Sequence, residues 1–140
     1  MKTIQLTSEN IDQYLTDCIE AQKHLVSVPE NINPELFKET ALDDHTYFFG
    51  VVIDDRLLGM GLISKVVHPV NITGYVNNIV VHPDARGQGL FKVIMDALEE
   101  KAREWGCTDI ALTCSREAVQ GMYEKRGYTE KDTHFYLLKI

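Results

Sequence analysis

The sequence predicts a mixed α+β fold, and three patterns along the chain support this prediction. Apolar residues recur at helical spacing over residues 11–19 and again after Pro34. Two strand-like runs, 47–53 and 57–67, then flank a short polar segment that is typical of a hairpin. After a third strand at 75–81, helices and strands alternate. Early helices, an antiparallel meander and strand–helix alternation together indicate a mixed sheet covered by helices.

The N-terminal quarter predicts one short strand and two helices. Residues 3–6 have the pattern of a strand, and Thr7 or Ser8 can cap the first helix, in which apolar residues recur every fourth position. Asn33 followed by Pro34 is a strong start for the second helix, because the asparagine can cap it and the proline ring presets φ.

The C-terminal half predicts two further helices, each followed by a strand. An amphipathic helix runs from Leu90 to Trp105 and stops at Gly106. A strand over 110–114 leads into a short helix at 115–126. Residues 134–140 (HFYLLKI) are expected to form a closing strand that lies inside the sheet.

Length and composition restrict the classes of function. No repeat or linker divides the 140 residues, so we expect one domain spanning 1–140. With 14 Lys and Arg against 21 Asp and Glu, the net charge of −7 argues against a nucleic-acid partner, which usually needs a basic face. No apolar run approaches the roughly 18 residues of a membrane span, and we therefore expect no membrane association and a cytoplasmic protein.

The cysteines and histidines give no sign of a metal site or a disulfide framework. Cys18, Cys107 and Cys114 are widely spaced and contain no C-x-x-C pair, so they are expected to be small buried hydrophobes. The five histidines show no short pairing suited to one metal. We predict no metal.

The segment with the clearest chemical signal lies between the third strand and the third helix. An apolar strand ends, Arg86-Gly87-Gln88-Gly89 follows, and a helix begins at Leu90. Glycines allow backbone N–H groups to converge on an anion, the free amides of the helix N-terminus add their dipole, and the arginine adds a permanent cation. The pattern predicts a phosphate site, although it matches neither a P-loop nor a dinucleotide-binding turn.

Two linked motifs resemble those of the GNAT N-acetyltransferase superfamily. Arg86-Gly87-Gln88-Gly89-Leu90 resembles the acetyl-CoA pyrophosphate loop, R/Q-x-x-G-x-G/A, and residues 118–128 resemble A-x-x-x-x-Y-E-K-x-G-F/Y. The match is sharp from about residue 75 to 128. The resemblance implies the GNAT fold: a central, mostly antiparallel, twisted sheet of six to seven strands flanked by about four helices.

The resemblance also implies a set of site residues. Backbone groups of the third strand would pair with the pantetheine arm where a β-bulge opens the sheet, and amides of the glycine loop would hold the pyrophosphate. Tyr123 would lie near the thioester sulfur and act as the acid for the departing thiolate. Tyr75 and Asn77 would lie on the acceptor side. The implied cofactor residues are Ile79, Val80, Val81, Arg86, Gly87, Gln88, Gly89, Leu90, Phe91, Arg116 and Tyr123.

Two departures from the family pattern concern the cofactor. Phe91 stands at the loop position that is normally Gly or Ala, so the direction of its ring decides whether the phosphate amides stay usable. Arg116 stands where many members carry Asn, and it could contact the cofactor instead.

The general base is a third departure. The strand positions that often carry an acidic base are Tyr75, Asn77 and Asn78, and an amide cannot accept a proton as a carboxylate does. Strand alternation would place Tyr75, Asn77, Ile79 and Val81 on one face, so that Asn77 could orient an amine while water removes its proton. Other possibilities are His82, His68, a carboxylate elsewhere, or an amine of low pKa that needs no base.

The leading hypothesis is direct acetyl transfer from acetyl-CoA to a primary amine, with a backbone N–H near Val81 stabilising the oxyanion. The main alternative is a CoA-binding regulatory module with weak or no activity, and a third is an unrelated domain with a coincidental loop. The acceptor, a small molecule or a peptide, would be shaped by residues 20–35 and 66–74. The polar first segment, with its glutamates, is consistent with a cationic amine. The family includes both monomers and homodimers.

Overall fold

Five strands form one sheet in chain order in the computed structural model, which describes residues 1–140. The first four strands are antiparallel to their neighbours, and the fifth is parallel to the fourth. The strands are β1 (Lys2–Gln5), β2 (Thr46–Ile53), β3 (Arg56–Val67), β4 (Ile72–Val81) and β5 (Asp109–Ala111). The mixed α+β class and the mostly antiparallel sheet are therefore as predicted.

Four helices flank the sheet, which agrees with the expected number. They are α1 (Ile11–Gln22), α2 (Pro34–Leu42), α3 (Leu90–Glu104) and α4 (Glu117–Lys125), and two short 3₁₀ turns lie at Pro29–Asn31 and Pro83–Ala85. None of the helices has both the length and the apolar composition that crossing a bilayer requires.

The strand count of six to seven and the closing strand at 134–140 were wrong. Residues 134–140 form no strand, and every one of them is exposed. The physical reason is that this segment has no neighbouring strand: the sheet ends at β5, and the segment does not lie beside it. A strand needs a partner for its backbone groups, and an apolar sequence alone does not supply one.

The helix starts were predicted correctly in one case and wrongly in the other. Asn33 caps α2 as expected, because its Oδ1 accepts a hydrogen bond from the Glu35 N–H at 3.0 Å. Neither Thr7 nor Ser8 caps α1, whose N-cap is Asn10. The Asn10 side chain points back along the chain and accepts from the Thr7 N–H at 2.8 Å, so it closes the turn before the helix.

The core consists of two clusters, one on each face of the sheet. The first cluster lies under α1 and α2 and includes Cys18, Phe48 and Met60, whereas the second lies under α3 and includes Ile63, Ile94 and Leu98. All six of these side chains are at most 1% exposed. The two faces together hold β3 and β4 in fixed positions.

A β-bulge in β4 shifts the pairing of this strand with β3. Leu62 pairs with Asn77 and Met60 pairs with Val80, so two residues of β4, Asn78 and Ile79, lie opposite one residue of β3. Asn78 adopts a left-handed conformation with φ of 54°, which is how the strand accommodates the extra residue. The bulge that the family resemblance implied is therefore present.

Candidate functional site

A cleft of about 750 Å³ opens between β4 and the chain that follows β5. It exists because β4 and β5 pair over only three residues, Thr73–Tyr75 with Asp109–Ala111, and then diverge. One side consists of residues 76–81 of β4, the glycine loop and the start of α3, and the other consists of residues 112–116 and α4. Most of the lining is apolar, with 14 hydrophobic residues of 23. Such a lining suits a ligand with a long, uncharged arm.

The β4 side of the cleft offers backbone groups as well as side chains. Ile79, Val80 and Val81 all line the cleft. The next N–H along the chain, that of His82, donates to the Leu58 carbonyl of β3 at 2.7 Å. In an antiparallel strand, the backbone N–H and C=O groups of successive residues point alternately toward and away from the neighbouring strand. Because those of His82 point toward β3, the N–H and C=O of Val81 point away from β3, toward the diverging β5. A ligand in the cleft therefore meets a free donor and a free acceptor at this position.

The bulge places the β4 side chains differently from the simple alternation expected. Asn77 faces Leu62, which packs on the α1 side, whereas Ile79 and Val81 pack in the cluster under α3. The expectation that Asn77 shares a face with Ile79 and Val81 was wrong, because one inserted residue exchanges the faces beyond it. Asn77 still lines the cleft, and Tyr75 does not.

Asn78 lies at the bulge itself and reaches toward α1. Its Nδ2 donates a hydrogen bond to Oε1 of Gln22 at 3.3 Å. Gln22 is one of the two buried polar side chains. The interaction ties the end of α1 to the place where β4 changes face.

The glycine loop has the geometry of an anion cradle at a helix start. Gly87 and Gly89 have φ of 79° and 80°, a region that side chains with a Cβ rarely adopt. A Cβ at either glycine would meet nothing within 4 Å, so the space in front of the loop is open. Gly89 precedes α3, and no side chain caps this helix. The first amides of α3 are therefore available to a ligand.

The loop residues fall into two groups by their position. Arg86 is exposed and forms no ion pair, so its guanidinium is available beside the glycines. Arg86, Gly87, Gly89, Leu90 and Phe91 line the cleft, whereas Gln88 does not.

Phe91 and Tyr123 meet across the cleft. Their rings lie edge to face with centroids 5.4 Å apart, and both residues line the cleft. Phe91 is half-buried and packs in the cluster under α3. Its ring is therefore directed at α4 and packs on the tyrosine, so it forms part of the apolar lining that a ligand would contact.

Tyr123 is held from its other side by Tyr128, whose ring centroid is 5.9 Å away. The Tyr128 hydroxyl in turn donates to Glu99 of α3 at 3.1 Å. Burial raises the pKa of Tyr123 above its ordinary value, and a smaller contribution comes from Cys114. The phenol therefore keeps its proton throughout the neutral range and can serve as an acid.

Arg116 closes one end of the cleft by a contact that the sequence did not suggest. Its Nη2 donates to the carbonyls of His24 and Leu25, each at 3.3 Å, and both of these residues line the cleft. These residues directly follow α1, far from either motif, and no local pattern marks them. The guanidinium bonded to them connects the loop after α1 with the start of α4.

The two histidines considered as bases are not in the lining of the cleft, but a third one is. Nδ1 of His82 accepts from the Asp84 N–H at 3.1 Å, which leaves this nitrogen occupied, and His68 lies in the turn between β3 and β4. His24 lines the cleft, and its ring meets that of His82 edge to face at 5.0 Å.

Comparison with known proteins agrees with this geometry. The family model for the acetyltransferase (GNAT) family matches residues 9–128. The chain belongs to the GNAT family. Glucosamine 6-phosphate N-acetyltransferase 1 of Oryza sativa subsp. japonica is 34% identical over 85 residues, which cover 59% of this chain and 51% of that protein. The match thus spans about half the length of this relative.

Solved structures share the GNAT fold along almost the whole chain. The glucosamine-6-phosphate N-acetyltransferase of Arabidopsis thaliana has a TM-score of 0.80 at 19% identity, over 98% of this chain and 97% of that one. An acetyltransferase of Clostridium acetobutylicum with acetyl-CoA has a TM-score of 0.77 at 16% identity, over 98% of this chain and 95% of that one. At these identities, the likeness concerns the fold alone.

Proposed function

We propose that this chain is an acetyl-CoA-dependent N-acetyltransferase that transfers the acetyl group directly to a primary amine, and that residues 1–140 form one catalytic domain. The observation that carries the proposal is the cleft between the diverging β4 and β5, with the glycine loop and the start of α3 at its mouth. This arrangement combines an apolar slot for a pantetheine arm with an anion cradle for its pyrophosphate. Membership of the acetyltransferase (GNAT) family supports the same conclusion.

The residues present suit the parts of acetyl-CoA. Amides from Arg86 to Phe91 would hold the pyrophosphate, and the guanidinium of Arg86 would add charge. The outward-facing carbonyl of Val81 would accept a hydrogen bond from an amide of the pantetheine arm, as in an added strand. Arg116, already bonded to two carbonyls, would close the cleft behind the arm and would contact the cofactor only at its edge.

Transfer needs a nucleophile, an oxyanion donor and an acid. The amine nitrogen attacks the thioester carbonyl, a bond forms between nitrogen and carbon, and the carbon–sulfur bond then breaks. A backbone N–H at the bulged end of β4, such as that of Val81, would stabilise the oxyanion, and the Tyr123 hydroxyl would give its proton to the departing thiolate. The amine proton would leave to His24 or to water, since imidazole is the side chain that accepts protons near neutral pH.

The acceptor would approach from the α1 and α2 side of the sheet. Asn77 lines the cleft from that face, and Tyr75, which pairs with Ser64, lies on the same face of β4 two residues earlier. Glu39 and Asp43 of the α2 region lie around a shallow depression that also includes Ser64. Carboxylates there favour a cationic amine over a phosphorylated one. An amine screen should therefore contain both kinds, including glucosamine 6-phosphate, which the names of the rice and Arabidopsis proteins suggest.

A CoA-binding regulatory module is the second candidate. Asn77 and Asn78 supply amides where a carboxylate base would be expected, and the Phe91 ring lies in the cleft. This candidate requires cofactor binding without turnover. Release of free thiol from acetyl-CoA across the amine screen separates the two, because only the enzyme would release it in an amine-dependent way.

Calorimetric titration of acetyl-CoA, and separately of CoA, tests the cofactor site. We expect micromolar binding that weakens about tenfold in Arg86→Ala, because a charge-assisted contact to the pyrophosphate contributes about 1.5 kcal/mol. Arg103→Ala is the matched control, since Arg103 lies at the far end of α3 and pairs with Glu100. No binding by the unaltered protein would overturn both candidate functions.

The role of Tyr123 is tested by Tyr123→Phe once an amine is turned over. We expect kcat to fall at least tenfold while the affinity for acetyl-CoA changes less than threefold, because the ring remains and only the proton donor is lost. Tyr128→Phe removes a neighbouring hydroxyl outside the cleft lining and serves as the control. An unchanged kcat in Tyr123→Phe would remove the assigned acid.

A further inference from the structure

We propose that Phe91 is a positioning residue for acetyl transfer: its ring holds the Tyr123 phenol at the place where a departing thiolate would need a proton. The proposal rests on the acetyl transfer proposed above, and it gives Phe91 a role that neither sequence motif implies. It is supported by a hydroxyl with no polar partner, a helix with no buried side chain, and an aromatic residue where the family pattern has Gly or Ala.

The Tyr123 hydroxyl has no polar group that holds it in place. It forms no hydrogen bond within the chain, whereas every fully buried side-chain oxygen and nitrogen has one, so this hydroxyl is open to the cleft that Tyr123 lines. A general acid must lie within hydrogen-bond reach of the atom that it protonates. The direction in which this hydroxyl points therefore depends on the groups that hold the ring.

The helix that carries Tyr123 restrains the ring only weakly. α4 contains no buried residue, and Tyr123 itself is half-buried. A side chain without packing neighbours changes its rotamer within picoseconds to nanoseconds, and each change would carry the hydroxyl away from the sulfur. Tyr123 therefore needs neighbouring side chains that keep its ring in one orientation.

Two aromatic rings are these neighbours. Phe91 meets Tyr123 edge to face with centroids 5.4 Å apart and ring planes at 72°, and Tyr128 meets it at 5.9 Å and 73°. At these distances, aromatic rings attract one another beyond the effect of the area that they bury. Of the two, Phe91 lies on the cleft side, since it lines the cleft and Tyr128 does not.

Phe91 also connects the assigned acid with the anion cradle. It is the second residue of α3, where a backbone amide is available to a phosphate, and its ring packs in the cluster under that helix. One turn of α3 would therefore hold the pyrophosphate by its backbone and the phenol by a side chain. Because α3 belongs to the core, this connection keeps the distance between cofactor and acid constant.

The role requires a large, flat side chain at this position. Gly or Ala, which the family pattern has here, would be too short to reach α4 across the cleft. Leucine would fill part of the space, but it has no ring whose edge-to-face contact restricts the tilt of the tyrosine. The departure from the family pattern at Phe91 therefore adds a support for the acid.

A double-mutant cycle of Phe91→Leu and Tyr123→Phe tests the proposal, with amine-dependent release of thiol from acetyl-CoA as the measured reaction. With Tyr123 present, we expect Phe91→Leu to lower kcat about two- to tenfold, the range that one aromatic pair accounts for. The Kd of acetyl-CoA should change less than about threefold, because the loop amides remain. In Tyr123→Phe, the same replacement should leave kcat unchanged, since no hydroxyl remains to be positioned. An equal fall in both backgrounds, or a fall in neither, overturns the proposal.

Val93→Ala is the matched control for a loss of packing on α3. Val93 is two residues further along the helix, is partly buried in the same cluster and does not line the cleft. Urea unfolding measures the stability that each variant loses. We expect kcat of Val93→Ala to equal that of the unaltered protein. A fall as large as in Phe91→Leu would assign the effect to packing and overturn the proposal.

The same measurements distinguish the failure of this proposal from the failure of the proposed function. If the unaltered protein releases no thiol with any amine, the proposed function is wrong and Phe91 has no acid to position. If the unaltered protein acetylates an amine and the cycle shows no coupling between Phe91 and Tyr123, the acetyl transfer stands and the role of Phe91 is wrong.

Discussion

The two sides of the cleft differ sharply in how they are anchored. The first wall, β4 and α3, carries buried side chains from both core clusters. The second wall, residues 112–125, carries none, and no residue after Ala102 is buried. α3 alone buries Leu90, Ile94, Met95, Leu98 and Ala102, whereas α4 buries no residue. The first wall is therefore part of the core, and the second lies against it.

Specific polar and aromatic contacts replace burial on the second wall. Arg126 bonds to Glu99 and Asp96 of α3 at 2.6–2.9 Å, Tyr123 packs on Phe91, and Arg116 bonds to the loop after α1. The anion cradle lies on the first wall and the assigned acid on the second. In the proposed mechanism, cofactor binding would therefore depend mainly on the core, whereas proton donation would depend on a wall with few buried contacts, which is where local opening is expected.

The largest expected difference between the two walls is in the free energy of unfolding that is lost when a side chain is truncated. Leu98→Ala should lower the free energy of unfolding by about 3 kcal/mol, since it removes a fully buried side chain and leaves a cavity. Met122→Ala on α4 should cost less than about 0.5 kcal/mol, because Met122 is 39% exposed. Urea unfolding of both variants measures the contrast. Equal costs would show that α4 is as firmly packed as α3.

The second expected difference is in how the free energy of unfolding falls at alkaline pH. This fall should depend on the buried Cys18 thiol of the core and not on the second wall. Burial raises the pKa of Cys18 from 9.0 to about 12, with a smaller contribution from Asp17. The unfolded chain then releases a proton that the folded chain retains, so stability falls as pH rises above 9. The loss from this group should be about 2 kcal/mol between pH 8 and pH 10.5.

Cys18→Ala should remove this part of the pH dependence, and Cys114→Ala on the second wall should leave it in place. Urea unfolding at both pH values tests the pair. A slope that persists in Cys18→Ala would assign the alkaline loss to the tyrosines instead.

A smaller effect is expected from the main polar anchor of α4. Arg126→Met should lower the free energy of unfolding by about 1 kcal/mol and raise the Kd of acetyl-CoA two- to threefold, because α4 loses its bonds to Glu99 and Asp96. Arg103→Met, which breaks an exposed pair with Glu100, is the control and should change neither quantity. A large stability loss with unchanged affinity would contradict the division between the walls.

The smallest effect has the opposite sign. Gly121 lies inside α4, and a Cβ there would meet nothing within 4 Å. Gly121→Ala should therefore stabilise α4 by about 0.5–1 kcal/mol. Amides of α4 should exchange about two- to fivefold more slowly, while those of α3 stay unchanged. Equal slowing in both helices would show that the two walls open together.

Sequence patterns predicted the elements that owe their form to local chemistry. The helix that starts at Asn33-Pro34, the hairpin at Asp54-Asp55 with its two positive φ angles, and the glycine loop before α3 all depend on residues close to one another in the chain. Most of the cofactor residues that the two motifs implied line a single cleft.

What the sequence did not reveal depends on distant partners. The side-chain alternation along β4 failed because it did not count the residue inserted at Asn78, although the family resemblance implied a bulge. The carbonyls of His24 and Leu25 accept hydrogen bonds from Arg116, some 90 residues later in the chain. No local sequence pattern predicts such a contact. The expected strand at 134–140 has the composition of a strand but no partner within its own chain.

The bulge at Asn78 allows β4 to hold one more residue than β3 without changing the pairs on either side of it. Removal of that residue would leave Asn77 opposite Leu62 and Val80 opposite Met60, so Ile79 and Val81 would keep their faces and Val81 would still present its backbone to the cleft. Such a deletion would remove only the left-handed backbone at Asn78 and its bond to Gln22. Loss of a second residue, with no bulge left to absorb it, would exchange the two faces beyond Asn77 and invert the lining of the site.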